Sequence, residues 1–195
     1  MAITTTYDGI EYRSRLEARW AAFMKNIGWD IVYEPFDGDG YIPDFLVQGE
    51  SPMLVEVKPA VTLAEYQAAV PKAEKGLAAH WSHDILIVGA SPVVSGKFGN
   101  SWNGPAAGWL GQFVPACSKH QEYGCCHPGW EWEAADWIRC TNCCSHSIYH
   151  TVMTFSGRPC GCYSGDHYLG TPKLALLESL WADACNDVKW RGRAA

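Results

Sequence analysis

All nine cysteines of this 195-residue chain lie beyond residue 116. The two halves must therefore be held together by different means. The first half has no thiol and has to rely on an apolar core, whereas the second has thiols and imidazoles enough to use a metal. The chain opens MAITTTYDGIEYRSR, with no apolar stretch of signal-peptide type, so clustered cysteines point to metal ligands before disulfides. No apolar run approaches the roughly 20 residues that span a bilayer, and the expectation is a soluble, cytoplasmic protein with no membrane partner. With 48% apolar and 18% charged residues there is material for a real core, and disorder is not the main theme. The length suits one domain with an appendage.

Charge divides in the same way. Residues 1–90 carry 7 Lys+Arg against 13 Asp+Glu, and residues 91–195 carry 8 against 8, so the whole net charge of −6 sits in the first half. A chain built to coat DNA by electrostatics alone would be basic, and this one is not.

Within residues 11–28, Leu16, Trp20, Phe23, Met24 and Ile27 fall on one helical face, with Gly28 at the expected stop. WDIVYEPF, YIPDFLV and MLVEVKP, separated by the turn signals DGDG and QGESP, read as three strands of an antiparallel meander. Residues 62–80 read as a helix with Thr62 and Glu65 forming a capping box, kinked or split at Pro71. DILIVGASP is a fully apolar strand of the kind buried at a sheet centre. Residues 90–115, rich in Gly, Ser, Pro, Asn and Trp, read as an ordered loop region. The last helix is expected over TPKLALLESLWADACNDV, with Thr171 as N-cap and Pro172 at the first helical position. The boundaries follow: a core over 1–92, a Trp/Gly-rich connector over 93–116, a Cys/His-rich module over 117–170, and a helix with a basic tail over 171–195 that packs back on the core.

Asp44, Glu56 and Lys58 carry the chemistry of the first half. Glu56 and Lys58 are two apart on a strand and face one side, and a hairpin brings Asp44 opposite Glu56. Leu54, Val55 and Val57 around them are apolar, so these charges are costly to hold. Two converging carboxylates repel, and a divalent cation resolves the repulsion. Metal-assisted phosphodiester hydrolysis wants this set: Mg²⁺ or Mn²⁺ on the carboxylates, with the Lys58 ammonium orienting water or offsetting developing charge. Glu17, on the first helix, is the further candidate ligand. Arg13, Arg15 and Arg19 are candidate phosphate contacts; the plainer reading is a solvated helix face paired with Glu11 and Glu17.

In the second half, Cys140 and Cys143 form a CxxC and Cys160 and Cys162 a CxC, a donor set for tetrahedral structural Zn²⁺. Cys144, His146, His150 and His167 are close enough in sequence to substitute. Cys117, His120, Cys125 and His127, beside Cys126, could hold a second zinc, although their spacing is irregular. Cys185, on the last helix, reads as a core residue. Six of the ten tryptophans fall between Trp81 and Trp137; they suit core packing first and base stacking second.

IPDF followed by VEVKP resembles the PD-(D/E)XK motif of the restriction-endonuclease-like nuclease superfamily. RSRLEARW ahead of it, and the helix and strand after it, are similar to that superfamily's αβββαβ core, as in Holliday-junction resolvases and transposon end-cleaving nucleases. GIEYRSRLEARWAAFM, YEPF and YIPDF are also similar to segments of small nuclease-like proteins of actinobacteria and their phages. Over about residues 7–90, the resemblance implies an α/β fold with a mixed central sheet and an Mg²⁺- or Mn²⁺-dependent deoxyribonuclease acting in a bacterial cell or phage-infected host. It implies roles for Glu17, Asp44, Glu56 and Lys58, with Gln67 and Lys72 as supporting polar residues on the next helix. DNA is the expected partner; a protein partner and a homodimer are compatible. Iron–sulfur members of the superfamily place one cysteine before the core, which this chain does not, so zinc is preferred. The alternative is an idle nuclease fold acting as a binding or adaptor protein.

Overall fold

A computed structural model of the chain describes residues 3–38, 40–49, 52–77, 81–94, 105–114, 129–141, 144–149, 155–156 and 169–189. The chain begins with an unexpected hairpin, β1 (Thr5–Tyr7) and β2 (Ile10–Tyr12). Asp8 and Gly9 between them take φ of 49° and 77°, the left-handed pair that a two-residue turn between right-twisted strands requires. Residues 10–12 are thus used as strand, and helix α1 (Arg15–Asn26) starts one residue before the apolar spacing that opens at Leu16, not at the residue-11 edge of the span read as helical. Ser14 caps it, its Oγ accepting from the Glu17 N–H at 3.1 Å. Gly28, at φ 83°, ends it. The Gly28 N–H reaches the Lys25 carbonyl at 3.0 Å and the Trp29 N–H that of Met24 at 2.9 Å, which is a Schellman closure.

β3 (Ile31–Tyr33), β4 (Phe45–Val47) and β5 (Met53–Val57) are successive antiparallel strands, in register through Tyr33 with Phe45 and Phe45 with Val55. Helix α2 (Leu63–Leu77) then leads to β6 (Ile85–Val88), which lies parallel to β5. The Thr62–Glu65 capping box forms, with Glu65 accepting from the N–H groups of Val61 and Thr62 at 2.8 and 2.9 Å. Contrary to expectation, Pro71 does not split α2. Its ring is on the exposed side, and the carbonyl it leaves unpaired belongs to exposed Gln67, where water can take it.

The stretch read as a connector is also corrected. Ala106–Val114 forms β7, antiparallel to β6, and Gly129–Cys140 forms β8, antiparallel to β7. With β9 (His146–Tyr149), β10 (Phe155–Ser156) and β11 (Leu169–Gly170), the sheet has nine strands among the described residues, ordered β10-β9-β8-β7-β6-β5-β4-β3 with β11 on β8. Glycine makes the long β7–β8 pairing workable: a Cβ on Gly111 would lie 2.6 Å from the Trp132 ring. Helix α3 (Leu174–Asp187) is capped at Lys173 without a side-chain bond, not at Thr171 and Pro172. Leu169 and Gly170 are taken up pairing with β8, so the chain is still extended there.

One face of the sheet packs on α1 and α3. Trp181 of α3 lies 5.1 Å from Trp20 and 5.8 Å from Phe23, and Phe23 lies 5.7 Å from Trp137. The buried indoles are satisfied: Trp20 donates to the Gly89 carbonyl at 2.8 Å, Trp29 to that of His146 at 2.9 Å, and Trp137 to that of Pro92. The other face carries Leu54, Ile85 and Ile87 against Tyr41, Tyr66 and α2. No helix among the described residues is long and apolar enough to cross a membrane.

Candidate active site

β4 and β5 set the first two carboxylates. Phe45 pairs with Val55, so Asp44, one residue before β4, stands level with Glu56. The Asp44 Oδ2 accepts the Val57 N–H at 2.7 Å, which ties the side chain to the β5 main chain. Glu56 and Lys58 project to one side, and the Lys58 ammonium pairs with Glu56 Oε1. Lys58 is itself anchored through its N–H to the Val88 carbonyl at 2.9 Å.

α1 supplies Glu17, whose Oε2 accepts from the Tyr33 hydroxyl at 2.7 Å; that hydroxyl accepts the Arg13 N–H at 3.0 Å. The Arg13 side chain spans the site. Its Nη2 lies 2.7 Å from Asp44 Oδ1 and its Nε 2.8 Å from Glu34 Oε1 and 3.9 Å from Glu17 Oε2. Arg13, Glu17, Asp44, Glu56, Lys58 and Lys72 all line a cleft of about 340 Å³. Lys72 reaches it from α2, its ammonium 5.8 Å from the centroid of the Tyr41 ring.

Burial dominates the electrostatics. Glu17, Asp44 and Glu56 are all buried. Desolvation raises the Asp44 carboxyl to about 7, with the Glu56 charge adding to the rise, the Val57 N–H opposing it, and Glu17 pushing the same way as Glu56. Burial also raises the Tyr41 phenol, with the Glu56 charge contributing. The Tyr41 hydroxyl and Glu56 Oε2 are both buried, the Tyr41 side chain interacting with that of Glu56 without a well-aligned hydrogen bond. A carboxylate oxygen so placed, beside a second buried carboxylate, suits a hard divalent cation, which takes oxygen ligands. Asp44 and Glu56 would hold it, with Glu17 beside them. As arranged, the protein's own cations occupy the Asp44 Oδ1 and Glu56 Oε1 positions, and no group of three His, Cys, Asp or Glu among the described residues is gathered as a metal cluster.

The other sequence candidates fall elsewhere. Gln67 is exposed and outside the cleft lining. Arg19 is half-buried on the side of α1 towards α3, its Nε buried and its charge felt by the Cys185 thiol, and it does not line the cleft. Arg15 is half-buried at the start of α1 and does not line the cleft. Of the zinc set, Cys140 is buried at the end of β8, paired with Leu169; Cys143, Cys160 and Cys162 lie outside the described residues, as do Cys117, His120, Cys125 and His127. His146 pairs across the hairpin with Arg139, so strand alternation points its ring away from the Cys140 side. That ring is buried with its Nε2 unpartnered, and burial lowers it to about 4.

Tyr33, Glu34 and Tyr41 were not read as site residues. Their signals in the sequence are their places in the segments YEPF and YIPDF: Glu34 follows β3 before Pro35, and Tyr41 lies between the turn DGDG and IPDF. No family model, curated protein or solved structure matches this chain.

Proposed function

We propose that the chain is a metal-dependent DNA nuclease of PD-(D/E)XK type, its core being the α1-β3-β4-β5-α2-β6 unit. One observation carries the proposal: Glu17 from α1 and Asp44, Glu56 and Lys58 from the β4–β5 hairpin and its edges line one cleft, in which Glu56 Oε2 is buried without a well-aligned hydrogen bond. The parallel pairing of β5 with β6 across α2 supports the resemblance in fold. Mg²⁺ or Mn²⁺ held there would polarise the phosphoryl oxygen and activate water. The chain's own residues do the rest. Asp44, fixed by the Val57 N–H, presents a carboxylate of constant direction. Lys58, beside Glu56, would supply a positive charge to orient the attacking water and offset charge developing on the phosphate.

Purified protein should cut one or more DNA forms in a panel of linear, single-stranded and branched substrates when Mg²⁺ or Mn²⁺ is present, and Lys58→Ala and Asp44→Ala should each abolish cutting while the melting curve stays cooperative. Cutting that persists in both variants excludes this site. A second reading has an observation of its own: Arg13 and Lys58 already neutralise Asp44 and Glu56, and the chain is acidic, as an idle nuclease fold serving a protein partner could be. Absence of both Mn²⁺ uptake and cutting selects it.

A further inference from the structure

We propose that Arg13 is a displaceable counter-ion of the carboxylate site: it sits on Asp44 when no cation is bound, leaves when a divalent cation enters, and then serves a phosphate of the DNA backbone. This rests on the carboxylates being a divalent-cation site.

The geometry separates what holds Asp44 from what merely neutralises it. Asp44 Oδ2 is fixed by the Val57 N–H, whereas Arg13 touches only Oδ1. Removing the guanidinium therefore leaves the carboxylate oriented. The Arg13 side chain is 53% exposed and that of Asp44 7%, so the cation sits over the acid at the cleft mouth and is not buried with it. Its second anchor, Glu34, is also outside the buried pair, at 33% exposed, and offers the guanidinium a place to remain. Glu34 holds φ 46°, a left-handed conformation uncommon for a residue with a Cβ. Its N–H donates to the Asp44 carbonyl at 3.0 Å, which fixes Glu34 beside Asp44. A doubly charged ion held by Asp44 and Glu56 would offset more repulsion than a single guanidinium on one oxygen. The freed planar fork suits a phosphate better than any other side chain.

Calorimetric titration of Mn²⁺ into wild type, Arg13→Gln and Arg13→Lys tests this. Arg13→Gln should bind Mn²⁺ roughly three- to tenfold more tightly, as expected when a half-exposed ion pair no longer competes. Arg13→Lys, which keeps the charge but lacks the planar fork that sets separate nitrogens on Asp44 and Glu34, should fall between and serves if the glutamine variant does not fold. A merely structural role for Arg13 would leave Mn²⁺ affinity equal or weaker. With Ca²⁺ in place of the catalytic ion, a labelled DNA duplex should bind Arg13→Gln more weakly than wild type, and equally when no divalent cation is present. Wild type that takes up Mn²⁺ while Arg13→Gln binds it no more tightly overturns displacement, and equal DNA binding in Ca²⁺ overturns the phosphate role. Wild type that takes up no Mn²⁺ overturns the metal site itself, and this inference with it.

Discussion

Asp44→Asn should stabilise the metal-free protein, and increasingly so as the pH rises. In the folded chain the Asp44 carboxyl is raised from 3.8 to about 7, chiefly by burial and next by the Glu56 charge. Below pH 4 the group is protonated whether the chain is folded or unfolded, and asparagine is a near-neutral replacement, at a cost of about 1 kcal/mol for setting an amide donor beside Arg13. Between about pH 4 and 7 the unfolded chain gives up this proton and the folded chain keeps it. The unfolded state then binds fewer protons, so wild-type stability falls with rising pH. Above about pH 7 both states are ionised and the loss levels off. At ~1.4 kcal/mol per tenfold change, the shift from 3.8 to about 7 amounts to about 4 kcal/mol at most. The side chain is 7% exposed, so solvent screening takes little from that figure. Urea unfolding in chelator at pH 4.5 and pH 8 should therefore show the variant's advantage growing by about 2–4 kcal/mol. Millimolar Mg²⁺ at pH 8 should recover part of the wild-type deficit and do nothing for the variant. An advantage that is the same at both pH values, or a variant less stable at pH 8, would refute the idea that burial and the neighbouring Glu56 charge hold the Asp44 carboxyl above its ordinary range.

Three further outcomes are expected. Ser14→Ala removes the α1 N-cap acceptor and should lower stability by about 1 kcal/mol with an unchanged urea slope; no loss would show that the bond to the Glu17 N–H contributes nothing. Gly89→Ala should destabilise by about 2–3 kcal/mol, because its Cβ would meet the Tyr66 hydroxyl at 1.9 Å and the Ala60 carbonyl at 2.4 Å; a melting temperature equal to wild type would mean that the β6 exit can shift freely. Elemental analysis of protein purified without added metal should find about one zinc per chain, as a closed thiolate site predicts, with Cys143→Ser lowering the melting temperature more than it alters DNA cutting. Iron, or no metal, would reject the Cys140–Cys143–Cys160–Cys162 set.

Local rules in the sequence were enough to place much of the first half. The Thr62–Glu65 capping box, the Gly28 stop of α1 and the β4–β5 hairpin that sets Asp44, Glu56 and Lys58 depend on neighbours a few residues away, and hairpin arithmetic alone sets Asp44 level with Glu56. Other features were legible but outvoted. Asp8-Gly9 is a hairpin signal that the reading of residues 11–28 as one helical span leaves unused, and Ile10–Tyr12 pair as β2. Tertiary structure decided the rest. β7 and β8 carry Gly, Trp and Ala where strands usually carry branched side chains, so only their partners show why: Gly111 is empty because Trp132 lies over it, and Trp132 donates to Glu74 on α2 at 2.7 Å. The start of α3 was settled by β11 pairing with Cys140 and Arg139, some thirty residues earlier. Arg13 could be read from sequence as a surface cation; that it spans Glu34 and Asp44 follows from β3 and β4 running side by side beneath the start of α1. Spacing along the chain decides which face a side chain takes, but which distant groups meet there, and how far water is kept from them, belongs to packing.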